Sequence, residues 1–193
     1  MERHDIELYL TELGTELNSR GVHKPIRVML IGGAYMLLQA NASRTTDDID
    51  FFWLEKDALQ RTHNPLRECV QAITLKYGLD SDWFNYLSQL LLYDEIVIPN
   101  GKLWRRFGPL YIYIPPKKYI LALKILAGRT KDIHDCAILL SQTKIKTRQQ
   151  AQQLLDQYVL PGAQENHAAE IADALDELFG EPEPLAEESD SLT

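Results

Sequence analysis

The chain lacks a long apolar run, lacks an excess of positive charge and has almost no cysteine, and each shortage removes a class of protein. No stretch of its 193 residues reaches the roughly 18 apolar positions of a membrane-spanning helix. The opening segment, MERHDIELYL, carries charges throughout and does not read as a signal peptide. Lys and Arg number 20 against 28 Asp and Glu, a formal net charge of −8, so no global basic field draws in nucleic acid. The two cysteines, Cys69 and Cys136, lie far apart and without metal-ligand spacing. They read as reduced, partly buried thiols of a cytoplasmic protein, with a single disulfide as the alternative. There is no internal repeat.

What is present is an ordinary globular composition, 45% hydrophobic, in a length that suits one domain with or without a helical appendage. Part of the negative charge is local. Residues 181–193, EPEPLAEESDSLT, hold five acidic side chains, no basic one and two prolines, which predicts a disordered tail. Without those five acids the formal charge is about −3.

Apolar periodicity predicts the elements. Ile6, Leu10, Leu13 and Leu17 recur at helical spacing, so a helix is expected over 3–20. IRVMLIG (26–32) reads as a buried strand, GAYMLLQAN (33–41) as a short helix packed on the sheet, and DIDFFWL (48–54) as a second strand. Residues 55–78 are helical in pattern, with Pro65 as a break or a start. A loop and short helix follow, then strands over 93–99 and 109–115, the last ended by Pro115-Pro116. Beyond residue 116 the pattern is helical throughout. It breaks near Gly128-Arg129, and two further helices, TRQQAQQLLDQYV and ENHAAEIADALDELFG, are separated by Pro161-Gly162.

The segment RTTDDIDFF, residues 44–52, concentrates the chemistry. Asp48 and Asp50 are two apart at the start of an apolar strand, and side chains at that spacing share a face. Two carboxylates on one face repel each other unless a cation lies between them, and Mg²⁺ takes a few carboxylate oxygens together with phosphate oxygens of a substrate. A D-x-D alone is most often solvated surface. Here it follows Gly32-Gly33, a pair at a strand-to-helix junction. Without Cβ atoms that pair lets backbone N–H groups and a helix N-terminus approach an anion. Alone it is as readily a tight turn, and the combination is more specific than either part.

IGGAYMLLQANASRTTDDIDFF resembles the signature of the polymerase-β-type nucleotidyltransferase superfamily, and more narrowly the small AbiEii-like toxin group and its relatives. Their R-x-T-x-D-x-D pattern is matched by Arg44, Thr46, Asp48 and Asp50. A downstream segment typical of the group, K…A-x-R-x-K-D-x-x-D, is matched by Lys124, Ala127, Arg129, Lys131, Asp132 and Asp135. The resemblance spans residues 26–140. It implies an α/β fold, with a small mixed-sheet nucleotidyltransferase core over 1–116 and a C-terminal helical bundle over 117–180. It implies Mg²⁺ on Asp48 and Asp50, an NTP triphosphate on Gly32 and Gly33, and further nucleotide contacts from Arg44, Thr46, Lys124, Arg129, Lys131, Asp132 and Asp135. The expected activity is transfer of a nucleoside monophosphate to an RNA, a protein or a small molecule, with a toxin-like role and a cognate antitoxin as partner.

One departure stands out. The superfamily usually adds a third carboxylate, and Asp82, Asp94 and Glu95 are the candidates. Without one, the chain reads as a non-catalytic nucleotide-binding or partner-binding module; a structural adaptor acting through its helices is a third reading. Other residues receive ordinary readings: Trp83 as a buried aromatic rather than a base platform, His134 as an exposed helix residue, and KLWRRFG (102–108) as a hairpin turn rather than a single-strand nucleic-acid surface.

Overall fold

The computed structural model describes residues 1–55, 65–92 and 94–181. The helix expected over 56–64, the expected start of a strand at Tyr93 and the expected disorder of 182–193 lie outside those residues. The order of elements is α1 (Arg3–Ser19), β1 (Ile26–Leu30), α2 (Gly32–Gln39), β2 (Ile49–Trp53), α3 (Pro65–Tyr77), β3 (Phe84–Asn85), α4 (Leu87–Leu92), β4 (Lys102–Phe107), β5 (Leu110–Ile114), α5 (Lys117–Ala127), α6 (Thr130–Ser141), α7 (Arg148–Tyr158), α8 (Pro161–Asn166) and α9 (Ala168–Phe179). Among the described residues no helix is long and apolar enough to cross a membrane.

A mixed five-stranded sheet, ordered β3-β2-β1-β5-β4, organises the first part of the chain. β1 lies at its centre, antiparallel to β2 and parallel to β5. Both faces of β1 are covered, and Val28, Met29 and Leu30 are all buried. That accounts for the apolar run from Val28 onward, after the exposed Arg27. α1 crosses the sheet with the stripe Ile6, Leu10, Leu13, Leu17 inward. Its start is held by a capping box in which the Glu2 N–H donates to Asp5 Oδ2 at 2.8 Å. Each fully buried Leu or Ile of such a stripe contributes about 1.5–3 kcal/mol.

The later helices pack on one another. α5 contacts α6, α7 and α9, and the break between α5 and α6 falls at Gly128, whose φ of +57° closes the helix in the left-handed region. Buried side chains from both sides of residue 116 belong to one contiguous core. Cross-links join them: Gln142 Nε2 donates to the Ala40 carbonyl, and Arg44 donates to Asp135 Oδ2.

Three local expectations need correction. Residues 94–99 form no strand: Ile96 makes a single bridge to Val159, while Val97 and Ile98 are 47% and 37% exposed. Branched residues there face solvent instead of a neighbouring strand, and Pro99 has no N–H to donate. KLWRRF is itself the edge strand β4, and the turn is Gly108-Pro109. Pro161-Gly162 does follow the end of α7, but it opens a short additional helix, α8, ahead of α9, since proline fits the first helical position. Cys69 and Cys136 are both free and buried.

Candidate functional site

The site forms where β1 ends, α2 begins and β2 runs alongside. Gly32 has φ +64°, and a Cβ there would come within 2.5 Å of Asp50 Oδ2. Glycine is therefore required twice, for its backbone conformation and for the close approach of the carboxylate. The Ile31 N–H donates to the Asp50 carbonyl at 3.0 Å, tying the glycine turn to β2. Gly33 serves differently. Its φ is not positive, and a Cβ there would stand 2.2 Å from Thr46 Oγ1 and 3.4 Å from a guanidinium nitrogen of Arg44. The loop 44–46 thus packs onto the first turn of α2, and Gly33 is a packing glycine in that contact.

Thr46 is buried and donates its hydroxyl to the Asp48 carbonyl at 3.2 Å and to Asp48 Oδ1 at 3.4 Å. Asp50 is partly buried on β2, and its pKa is pushed up from 3.8 to about 6. Burial is the larger cause and the neighbouring charge of Asp48 the second, while Arg129, Ser88 and Lys131 offset part of the rise. The charge of Asp48 thus adds to a rise that burial begins. The contributions of Arg129 and Lys131 show that the α5–α6 junction, some eighty residues on, reaches the acid pair (Asp50 to Arg129).

Behind the pair lies a buried charge network. Lys124 Nζ sits 2.6 Å from Asp132 Oδ1 and 2.7 Å from Asp135 Oδ2. Arg129 Nε donates to Asp132 Oδ2 at 2.6 Å, and Arg44 donates to Asp135 Oδ2 at 2.8 Å. Burial alone would raise the Asp132 carboxyl, but the hydrogen bond from Arg129 and the charge and hydrogen bond of Lys124 together hold it below the usual carboxylate range. The direct phosphate contact expected of Lys124 does not suit this burial, since its side chain is 7% exposed and its ammonium is taken by two carboxylates. Asp132 and Asp135 likewise face inward and orient the cations. Arg129 is different: its side chain is 60% exposed, and Lys131 is exposed too. Arg44 Nε and Asp135 Oδ1 are buried and have no hydrogen-bond partner among the described residues.

No third carboxylate joins Asp48 and Asp50 among the described residues, where no group of three His, Cys, Asp or Glu side chains is placed to hold a metal. Glu95 faces His167, with Oε2 and Nε2 3.6 Å apart, and Asp94 is exposed. Asp82 lines a cavity near the other face of β2. Trp83 is core, its indole donating to Thr74 Oγ1 at 3.1 Å, and His134 is exposed on α6.

Two site neighbours carried no sequence signal. Ser88 of α4 places Oγ 3.5 Å from Asp50 Oδ1. Gln89 is buried and holds the Trp53 backbone on both sides: the Trp53 N–H donates to Gln89 Oε1 at 2.8 Å, and Gln89 Nε2 donates to the Trp53 carbonyl at 3.2 Å. Neither belongs to a charge pattern, and only the docking of α4 on β2 brings them in. Comparison with family models, curated proteins and solved structures finds no match for this chain.

Proposed function

We propose that the chain is a Mg²⁺-dependent nucleotidyltransferase that moves a nucleoside monophosphate from an NTP to an RNA, protein or small-molecule acceptor, in a toxin-like role. The observation that supports it best is the Asp48–Asp50 pair: burial first and the charge of Asp48 second raise Asp50 to about 6, beside a glycine turn and two exposed cations. The residues fit a divalent cation: a carboxylate pair destabilised by burial and like charge is relieved by one. Asp48 and Asp50 would hold Mg²⁺, which supplies neutralisation of phosphate charge.

The chain's own groups do the rest by position and charge. The unpaired N–H groups of the first turn of α2 face the phosphates. Arg129 and Lys131 attract the triphosphate and steady the departing pyrophosphate. Arg44, anchored by Asp135 and with its side chain 30% exposed, adds positive charge beside the glycine turn. The acceptor's hydroxyl oxygen bonds to the α-phosphorus and gives its proton to solvent, the bond from that phosphorus to the bridging oxygen breaks, and pyrophosphate leaves.

The test is incubation with Mg²⁺ and each α-labelled NTP, with cell RNA and protein as acceptors. Covalent label and released pyrophosphate are expected, and both should vanish in Asp48→Asn/Asp50→Asn. Transfer that survives in the double variant would remove the pair from the chemistry. The lack of a third carboxylate among the described residues favours a second reading, a nucleotide-binding module without turnover. Saturable NTP binding with no transfer to any acceptor selects it.

A further inference from the structure

The first residues of the chain meet the candidate site. Met1 and Thr46 exchange two main-chain hydrogen bonds: the Thr46 N–H donates to the Met1 carbonyl at 3.1 Å, and the Met1 nitrogen donates to the Thr46 carbonyl at 2.5 Å. Facing residues of an antiparallel pair are joined in this way. Among the described residues the Thr46 main chain has no other partner. The Met1 side chain packs against the core, and Glu2 caps α1. The bracket is therefore tied to a helix whose inner stripe is buried.

Arg3 makes a second attachment. Its guanidinium donates to the Leu37 carbonyl and, at 3.1 Å, to the Leu38 carbonyl, and stands 3.4 Å from Asn41 Oδ1. The two carbonyls belong to the last turn of α2, where helical carbonyls lack partners within the helix and a cation is favourable.

Both attachments fall on α2 and on the segment that joins it to β2. That segment carries Arg44 and Thr46 and leads to Asp48 and Asp50. Thr46 is its hub, because its hydroxyl bonds to Asp48 and stands where a Cβ on Gly33 would have to go. Thr46 is buried, and a buried N–H and carbonyl without partners are costly. Met1 supplies both partners.

We propose that residues 1–3 are a positioning arm for the candidate site: Met1 fixes Thr46, and through it Asp48 and the contact with Gly33, while Arg3 fixes the far end of α2. The bearing of the arm on cation binding rests on the proposed reading of Asp48 and Asp50, whereas the bracket itself does not.

The test compares the full chain with one that begins at Glu2, released from a cleavable fusion. The shorter chain keeps the capping box of α1 and loses both Met1 bonds. Hydrogen exchange at the Thr46 N–H should run about tenfold faster without Met1, the effect of about one net hydrogen bond. Exchange at Val28 and Ile112, in the β1–β5 ladder, should not change. The ¹⁵N amide signals of Gly33 and Asp48 should move, while those of Val28 and Ile112 stay. Mg²⁺ should bind the shorter chain about three- to tenfold more weakly. Arg3→Ala should weaken Mg²⁺ binding in the same direction and Arg3→Lys should recover it, since an ammonium still meets the α2 carbonyls. Thr46 exchange that is equal in the two chains overturns the proposal, as does Mg²⁺ bound with equal affinity by both. Faster exchange throughout, Val28 and Ile112 included, would make Met1 a general stabiliser and overturns it too. A full chain that binds no Mg²⁺, with the Thr46, Gly33 and Asp48 effects present, refutes the cation reading and supports the arm.

Discussion

Replacing Asp50 by Asn tests whether the acid pair is a strained arrangement that awaits a cation. In the folded chain the Asp50 carboxyl titrates at about 6, raised by burial first and by Asp48 second, against an ordinary 3.8. Between those values the folded protein keeps a proton that the unfolded chain has released. Stability therefore falls as pH rises through this window, and the full loss is present above about pH 6. A rise of about two pH units corresponds to about 3 kcal/mol. Solvent that reaches this partly buried group screens the repulsion, so about 1–2 kcal/mol is expected. Asp50→Asn keeps the shape and removes the charge. In metal-free buffer at about pH 7.5 it should be more stable than the parent by that amount, about 2–8 °C in Tm for a chain of this size. Near pH 4, where the parent carboxyl is protonated, the difference should close. Urea unfolding at both pH values, with unchanged slopes, measures it. A variant less stable than the parent at neutral pH would mean that the carboxylate is favourably paired in the fold, and the reasoning would fail. A difference that persists in acid would fail it equally. Under the proposed function, Mg²⁺ should raise the Tm of the parent at neutral pH and leave that of the variant.

Other substitutions read the surrounding structure. Gly33→Ala would put a Cβ 2.2 Å from Thr46 Oγ1 and 2.9 Å from Thr46 Cβ; overpacking of this kind should cost about 1–3 kcal/mol, and an unchanged Tm would show that the 44–46 loop yields freely. Lys124→Met leaves Asp132 and Asp135 without their shared ammonium, and denaturant unfolding should show a loss of about 3–5 kcal/mol; a loss under about 1 kcal/mol would contradict the buried network. Tyr119→Phe removes a hydroxyl that is buried without a partner. It should be neutral or stabilising by up to about 1–3 kcal/mol, and a marked drop in Tm would reveal a hydrogen bond at that hydroxyl.

Along the chain, local pattern was enough for the parts whose cause is local. β1, α2 and β2 fall within a residue or two of where the apolar runs and the glycine pair place them, and the α5–α6 break falls at Gly128 because only a left-handed residue closes that helix. The expectation that Asp48 and Asp50 share a strand face held only in part: Asp50 lies on β2 and Asp48 stands just before it, while the charge of Asp48 still reaches Asp50. The same local signs misled at 94–99, where a branched run resembles a strand but has no neighbour beyond Ile96.

The amino-acid sequence by itself determined which segments curl or extend, because hydrophobic period and backbone preference act over a few residues. Only the tertiary structure decided that β1 pairs in parallel with β5 across some eighty residues, Val28 to Ile112, that the charges of Arg129 and Lys131 reach Asp50 while Lys124 turns inward, and that Phe51 and Trp53 line a cavity beside β2. Strand order, burial and the meeting of charges depend on which distant surfaces exclude water together, and no short-range periodicity records that choice.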